Sequence, residues 1–496
     1  TQEKGRSCLF AIISSLIIVS LLATSIASLV WFISERTGDS NETPLPALDQ
    51  AAAGDGRSAS EEVPVTAMPE AESAADVVEG VEDAEASDPL DAAAVEPQLN
   101  RIVLVNEERQ IETVAPDGSE RHMLTSEDHF FEFPAWAPDG SQIAVLGSDR
   151  SGAGIFLLRD DDDFDEPQEL FFSRDQRPFY LYWSPDSEQI SFLATNPVEG
   201  IGLNLINAEV GNENREIAAG SPFYWNWAAD SERMLIHSGN EVDDSRLVLI
   251  DNNGEVQTPQ IPAPGFFQAP GISPSGRYWA YSQLREGGIP WITVDDQVSG
   301  EQNAERHAGA IALNWSPVAE RLAFISGTDE GQVGFWGPLR LLDVESGETK
   351  LLSSNLVLAF FWSPDGKQIF TISIPANDSL NGGVEVRDTK IRRLARNRPS
   401  LTPVQRLPHQ FVLSVIDTDS GSGLELANVT LSPSFLTQFL VYFDQYALSH
   451  NLWSPDSDQI VLPVIADGEN QIVVISTKSG RMHQVGSGSI AFWSSQ

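Results

Sequence analysis

The chain has 496 residues, 41% of them hydrophobic, so a sizeable part must fold. Its formal net charge is -42, from 30 Lys+Arg against 72 Asp+Glu, which excludes nucleic acid as the main partner because phosphate binding needs a basic footprint. The single cysteine, Cys8, excludes an intramolecular disulfide and a cysteine-based zinc cluster.

Residues 1–7 carry Lys4 and Arg6, and residues 8–33 carry no charge at all. A helix over that run is long enough to cross a hydrocarbon core of about 30 Å. Trp31 and Phe32 stand at its far end as interfacial aromatics, and Glu35, Asp39 and Glu42 follow. The positive-inside bias predicts a single-pass signal anchor with a short cytoplasmic N-terminus and everything after it periplasmic or extracellular. The apolar run exceeds a cleavable h-region, although Ala23, Ser25 and Ala27 supply small residues of the cleavage type. Residues 34–98 are rich in Ala, Glu, Asp and Pro. They cannot bury enough apolar surface to offset their ordering entropy, and an acidic disordered linker is predicted.

From residue 99 onward the chain repeats itself. Trp136, Trp183, Trp227, Ile272, Trp315, Trp362, Trp453 and Trp493 end short apolar runs at intervals of 40 to 47 residues, with one interval of 91. The units read FPAWAPDGSQIAVLG from Phe133, LYWSPDSEQISFLA from Leu181 and AFFWSPDGKQIFTIS from Ala359, among others. Each has an apolar strand ending in Trp, a Ser-Pro-Asp-Gly type turn, and a second β-rich run. A third strand follows, such as Ile155–Leu158, Arg246–Ile250 or Ile472–Ile475, and a fourth leads back. Such a period with short alternating strands predicts a propeller of four-stranded antiparallel blades, with Trp wedged between neighbours.

The motif WSPDGKQIF at Trp362–Phe370, altered elsewhere, resembles the TolB-type β-propeller repeat, a relative of the WD repeat. The resemblance covers most of residues 101–496 and implies an all-β propeller. Its functional content is broad, since the family spans a periplasmic partner protein, propellers attached to peptidases and other binding domains. The N-terminal IVLVN and the C-terminal SIAFWSSQ complete one blade between them. Strand exchange of this kind closes the ring and removes free edges. Eight blades result, or seven if the unit at Ile272 is irregular. The long interval is read as an insertion at about 375–410, and Leu426–Tyr446 as a second irregular region.

Chemistry-bearing motifs are sparse. No G-x-S-x-G elbow, H-E-x-x-H or close histidine pair occurs, so neither a catalytic residue nor a metal or cofactor ligand is assigned. Calcium is considered only at Asp160–Asp163 with Asp165 and Glu166, and at Asp417, Asp419 and Gly421. The starts of the first strands are aromatic: HFFEFPAW, FYLYW, FYWNW and the pair at 266–267. Phe130, Phe179, Tyr180, Tyr224 and Phe266 are the candidate binding rim, weighed against inter-blade packing. Arg387, Lys390, Arg392, Arg393, Arg396 and Arg398 make the insertion a basic island and a candidate docking loop. The expected function is a non-enzymatic, membrane-tethered scaffold for an envelope protein or peptide. A carbohydrate or cell-wall receptor using the aromatic rim is the alternative, and a lyase or hydrolase in the channel the third reading.

Overall fold

A computed structural model describes residues 100–495, except 127, 161–165, 197–199, 240–244, 259–260, 262–263, 266, 328–335 and 376–409. The predicted anchor over 8–33 and the acidic linker over 34–98 lie outside the described residues, as does the basic loop. Among the described residues no helix is long and apolar enough to cross a membrane.

The repeat unit is a four-stranded antiparallel sheet. In one of them Phe130–Trp136, Ile143–Ser148, Ala153–Leu158 and Gln168–Ser173 lie side by side in chain order. Its two middle strands, IAVLGS and AGIFLL, are buried almost throughout, whereas the last strand is mostly half-buried or exposed. A strand that is apolar on both faces needs a neighbour on both faces, and sheets packed face to face supply them. Pro178–Trp183 through Arg215–Gly220 repeat the pattern, as do Gly271–Ile272 through Gln302–Arg306. The unit at Ile272 is therefore a regular four-stranded sheet despite its missing Trp. Between Ala308 and Ser487 ten strands join into one ribbon, because Glu348–Trp362 and Gly423–Leu431 each serve two successive units. The interval of 91 residues resolves as one unit: Gln368–Ile374 pairs with Phe411–Asp417 across the insertion.

The two ends of this region share a sheet. Ile102–Val105 pairs antiparallel with Ile490–Trp493, with Ile102 opposite Trp493 and Val105 opposite Ile490. Arg101 clamps the join. Its Nε donates to Asp160 Oδ2 at 2.8 Å, and Thr113 donates to the other carboxylate oxygen at 2.7 Å. Repeated four-stranded sheets whose terminal strands pair with each other make a β-propeller.

Two side-chain contacts tie neighbouring sheets with the period of the sequence. The indole Nε1 of Trp183, Trp362 and Trp453 donates to the carbonyls of Ala135, Asn314 and Phe361 at 3.0, 3.1 and 3.1 Å. Each acceptor is the residue before the Trp of the preceding unit. Where Ile272 replaces Trp, Gly271 keeps the space open, since a Cβ there would lie 2.8 Å from Trp315 Nε1. The second tie is in the turns. Gly140, Gly276 and Gly366 take positive φ at the fourth turn position, as glycine readily does. Ser187, Ser231 and Ser457 occupy the same position at φ of 65°, 59° and 61°. Their hydroxyls accept the backbone N–H of Asp139, Asp186 and Asp365 in the preceding unit at 3.0, 3.0 and 3.2 Å. That bond offsets the cost of a left-handed serine. Ser457→Ala, which keeps the strain and loses the bond, is expected to lower stability by about 1 kcal/mol. Ser457→Gly, which loses both, is expected to stay within about 0.5 kcal/mol of the wild type in denaturant unfolding.

Candidate functional site

First strands are the inner edges of their sheets, so their outward backbone groups have no strand partner. The segment after Gly423–Leu431 meets them. It forms a π-type turn at Phe435–Phe439, a 3-10 turn at Leu440–Tyr442 and helix α1 at Phe443–Ser449. Tyr446 stacks on Phe133 with ring centroids 5.3 Å apart and meets Tyr180 edge-on at 5.0 Å. Phe443 packs on Phe360 at 5.6 Å, and Phe439 on Phe492 at 5.3 Å. Helix α1 also packs on Ala308–Trp315 and Phe223–Trp227. A single segment touching inner strands of so many units lies on their common axis, and we call it the plug.

Hydrogen bonds fix its position. Gln445 works as a substitute strand: its Nε2 donates to Trp225 O and its Oε1 accepts from Trp225 N, both at 2.9 Å. The Tyr180 hydroxyl donates to Ser449 Oγ at 2.7 Å and receives Gln445 Nε2 at 3.2 Å. The N–H of Ala269, just before Gly271–Ile272, donates to Asp444 Oδ2 at 3.0 Å. Phe133 sits at φ 51° in an irregular stretch of its strand and turns its ring onto Tyr446.

The rim candidates therefore divide. Tyr180 is buried under the plug, and the expectation that it is exposed is corrected: its hydroxyl is consumed by Gln445 and Ser449. Tyr224 is half-buried, with its ring 4.5 Å from that of Phe267. Phe130 is 51% exposed and Phe179 41%. Arg109 lies over the Phe130 ring at 4.9 Å and pairs with Glu132. Phe266 and the six basic residues from Arg387 to Arg398 lie outside the described residues. The plug adds two exposed side chains that the aromatic pattern of first strands did not reveal, Val441 at 51% and Tyr442 at 43%. The charge of Glu132 and the phenol of Tyr442 both bear on the Tyr446 hydroxyl. Phe130 and Phe179 stand near the starts of first strands that meet the plug, and Val441 and Tyr442 belong to the plug itself. The signal that marks the plug is a change of period: Phe435, Phe439, Phe443 and Tyr446 recur every three or four residues, against the alternation of every strand around them.

Of the acidic candidates for calcium, Asp160, Asp417 and Asp419 are already engaged, and Asp161–Asp163 and Asp165 lie outside the described residues. Asp160 accepts from Arg101 and Thr113 and contacts His122 Nδ1 at 2.6 Å. Asp417 Oδ1 accepts the N–H and hydroxyl of Ser420 at 2.7 Å, and Asp419 pairs with Arg321 at 2.7 Å. Among the described residues no group of three or more His, Cys, Asp or Glu is placed to hold a metal ion.

The plug also carries the unusual electrostatics. Burial pushes Asp444 up to about 6, against which the Ala269 N–H is only a partial support. Burial also lifts the Tyr180, Tyr224 and Tyr446 hydroxyls and holds His450 down to about 3.

The fold and its plug define an all-β propeller with a filled axis. No family model and no curated protein matches the chain. Solved structures do. The dihydro-heme d1 dehydrogenase NirN is 14% identical, with 82% of this chain and 78% of that chain covered and a TM-score of 0.50. The β-propeller domain of the Trilobed protease from Pyrococcus furiosus is 11% identical over 73% of this chain and 99% of that one, at a TM-score of 0.42. A TolB from Agrobacterium tumefaciens is 16% identical over 66% and 88%, at a TM-score of 0.33. At these identities the likeness concerns the fold alone.

Asp444 gives a pH test. Its folded value of about 6 lies above the unfolded value near 3.9, so the folded state holds the proton more tightly. Its stabilising contribution is full below about pH 4 and is lost as pH rises through about 6. Asp444→Asn keeps the acceptor for Ala269 and removes that loss. The variant is expected to exceed the wild type by roughly 3 kcal/mol at pH 8, with the gap closing towards pH 4, in paired thermal or urea unfolding.

Proposed function

We propose that the chain is a membrane-tethered, extracytoplasmic propeller of eight blades that binds an envelope protein or peptide on the plug rim and performs no chemistry itself. Eight is the count of units obtained when Ile490–Trp493 with Ile102–Val105, Ile111–Val114 and His122–Met123 is taken as one blade. The observation that carries the reading is the plug. The axis, where a channel-sited activity would work, is occupied by the chain's own aromatic side chains. What faces outward there is a surface with Val441, Tyr442, Phe130 and Phe179 exposed. Large exposed apolar side chains gathered on one face mark an interaction site more often than a catalytic one. The basic insertion joins Ile374, which pairs with Leu356 at the start of an inner strand, to Phe411. Its six basic residues would offer such a partner cations on an otherwise acidic protein. Residues 8–33 supply the tether and 34–98 the reach.

A carbohydrate receptor is the second reading, favoured by the exposed rings of Phe130, Phe179 and Tyr442, which suit stacking on sugars. Glycan-array binding lost on Tyr442→Ala separates it from the protein-binding reading. Turnover of a glycan or peptide by the purified protein refutes the non-enzymatic part.

The main test uses the full chain in its native membrane, with photo-crosslinkers next to the rim. Combined Phe130→Ala, Phe179→Ala and Tyr442→Ala are expected to cut recovery of the crosslinked partner at least tenfold without changing unfolding. Deletion of residues 380–400 is expected to reduce it severalfold; unchanged recovery in that deletion removes the loop from the interface.

A further inference from the structure

The seam where the two ends of the propeller meet holds an open cleft of about 530 Å³. Residues 106–121 form one wall, and residues 484–487, from the outer strand Met482–Ser487 of the preceding sheet, form the other. Val485 is the one apolar side chain of the lining among the described residues, so the cleft suits a polar or charged ligand. Its floor is built from buried polar groups. Glu112 is 7% exposed; its Oε1 accepts from Asn106 Nδ2 at 2.7 Å and its Oε2 pairs with Arg121. Arg121 crosses to the other wall, where its Nη2 donates to Val485 O at 2.6 Å. Gly486 leaves room for the crossing, since a Cβ there would lie 3.0 Å from Leu104 Cδ2 and 3.5 Å from Arg121 Nη1. Glu112 and Arg121 offset each other, so the middle of the cleft is close to neutral. Its ends are not. Glu107 and Glu108 are exposed in the turn at one end, and Asp117 in the turn at the other. Hydrogen bonds from Ser119 hold the Asp117 carboxyl below the usual range. Between the turns runs Ile111–Val114, and at about 3.3 Å per residue the chain from Gln110 to Ala115 separates the two ends by roughly 17 Å. Among the described residues Arg121, already engaged by Glu112, is the one cation of the lining.

We infer that this cleft binds a linear polyamine, an extended chain whose terminal ammonium groups meet Glu107 and Glu108 at one end and Asp117 at the other. Gln484 and Ser487 offer neutral polar contacts along the wall between them. The separation of the two charged ends selects for length, which attraction to a chain of net charge -42 does not do by itself. Because the ligand touches both walls of the seam, it binds only the closed ring and stabilises it by mass action. The inference shares no residue with the plug rim and does not depend on a partner docking there.

The test titrates the full chain by calorimetry, at neutral pH and low salt, with spermine and with two linear diamines of equal charge, one of twelve carbons and one of four. Spermine is expected to bind and to raise the midpoint of thermal unfolding by a few degrees. The long diamine is expected to bind at least fivefold more tightly than the short one. Glu107→Gln, Glu108→Gln and Asp117→Asn combined are expected to weaken spermine binding at least tenfold and to abolish the thermal shift. All three positions are exposed and the new Asn keeps the acceptor for Ser119, so the ligand-free midpoint is expected to stay unchanged. A control variant, Glu209→Gln with Glu213→Gln and Glu345→Gln, removes the same charge from exposed positions elsewhere and is expected to change the affinity less than twofold. Equal losses in the two triple variants, equal binding of the two diamines, or no binding of spermine overturns the inference. A tetralysine peptide that binds more tightly than spermine and responds only to the cleft variant overturns the assignment to a small polyamine.

Discussion

Each inner strand of this propeller presents one edge that no other strand pairs, and the molecule is organised around satisfying those edges. A buried N–H or C=O without a partner costs about as much as a lost hydrogen bond, so a ring of such edges facing a dry axis would be untenable. The chain answers with side chains from Gln445, which meets Trp225, and Asp444, which accepts the Ala269 N–H, while Ser449 accepts the Tyr180 hydroxyl and rings from Phe439 to Tyr446 pack against the inner strands. Gln445 alone takes up the N–H and the carbonyl of Trp225. The axis is thereby a packed core among the described residues.

The same economy shows between the sheets. Trp Nε1 reaches the carbonyl one residue before the preceding Trp, and the turn serine reaches the N–H of the preceding turn aspartate. Both contacts point the same way around the ring, so the units that carry them are held in register by the next. At the join the pairing of Ile102–Val105 with Ile490–Trp493 continues this order, and the buried Arg101–Asp160 pair fastens the joined sheet to its neighbour. A ring built from nearest-neighbour contacts depends on closure, because an open one would leave two unpaired faces.

The candidate rim illustrates how far exposure depends on what sits opposite. Tyr180 and Phe179 are adjacent in sequence and alternate in direction, as strand residues do. One is sealed beneath the plug and the other is open to solvent. Asp444 looks ordinary in the sequence; its elevated proton affinity comes from the walls assembled around it by segments some 175 to 220 residues away.

The sequence by itself determined the repeat: the period of Trp and Ser-Pro-Asp-Gly, the strand lengths, the long insertion and the complementary ends. These are local signals, written in turn chemistry and strand alternation within one unit, and repetition made them unmistakable. Even the unit at Ile272 keeps its four strands, because its turns and apolar runs survive the loss of the Trp. Only the tertiary structure decided that Phe435–Ser449 fills the axis, that Tyr180 is core and Tyr442 is surface, and that Asp444 is left without a cation among the described residues. Those outcomes arise where many inner strands converge on one segment. Convergence of that kind is set by the geometry of the closed ring, to which no single stretch of sequence refers.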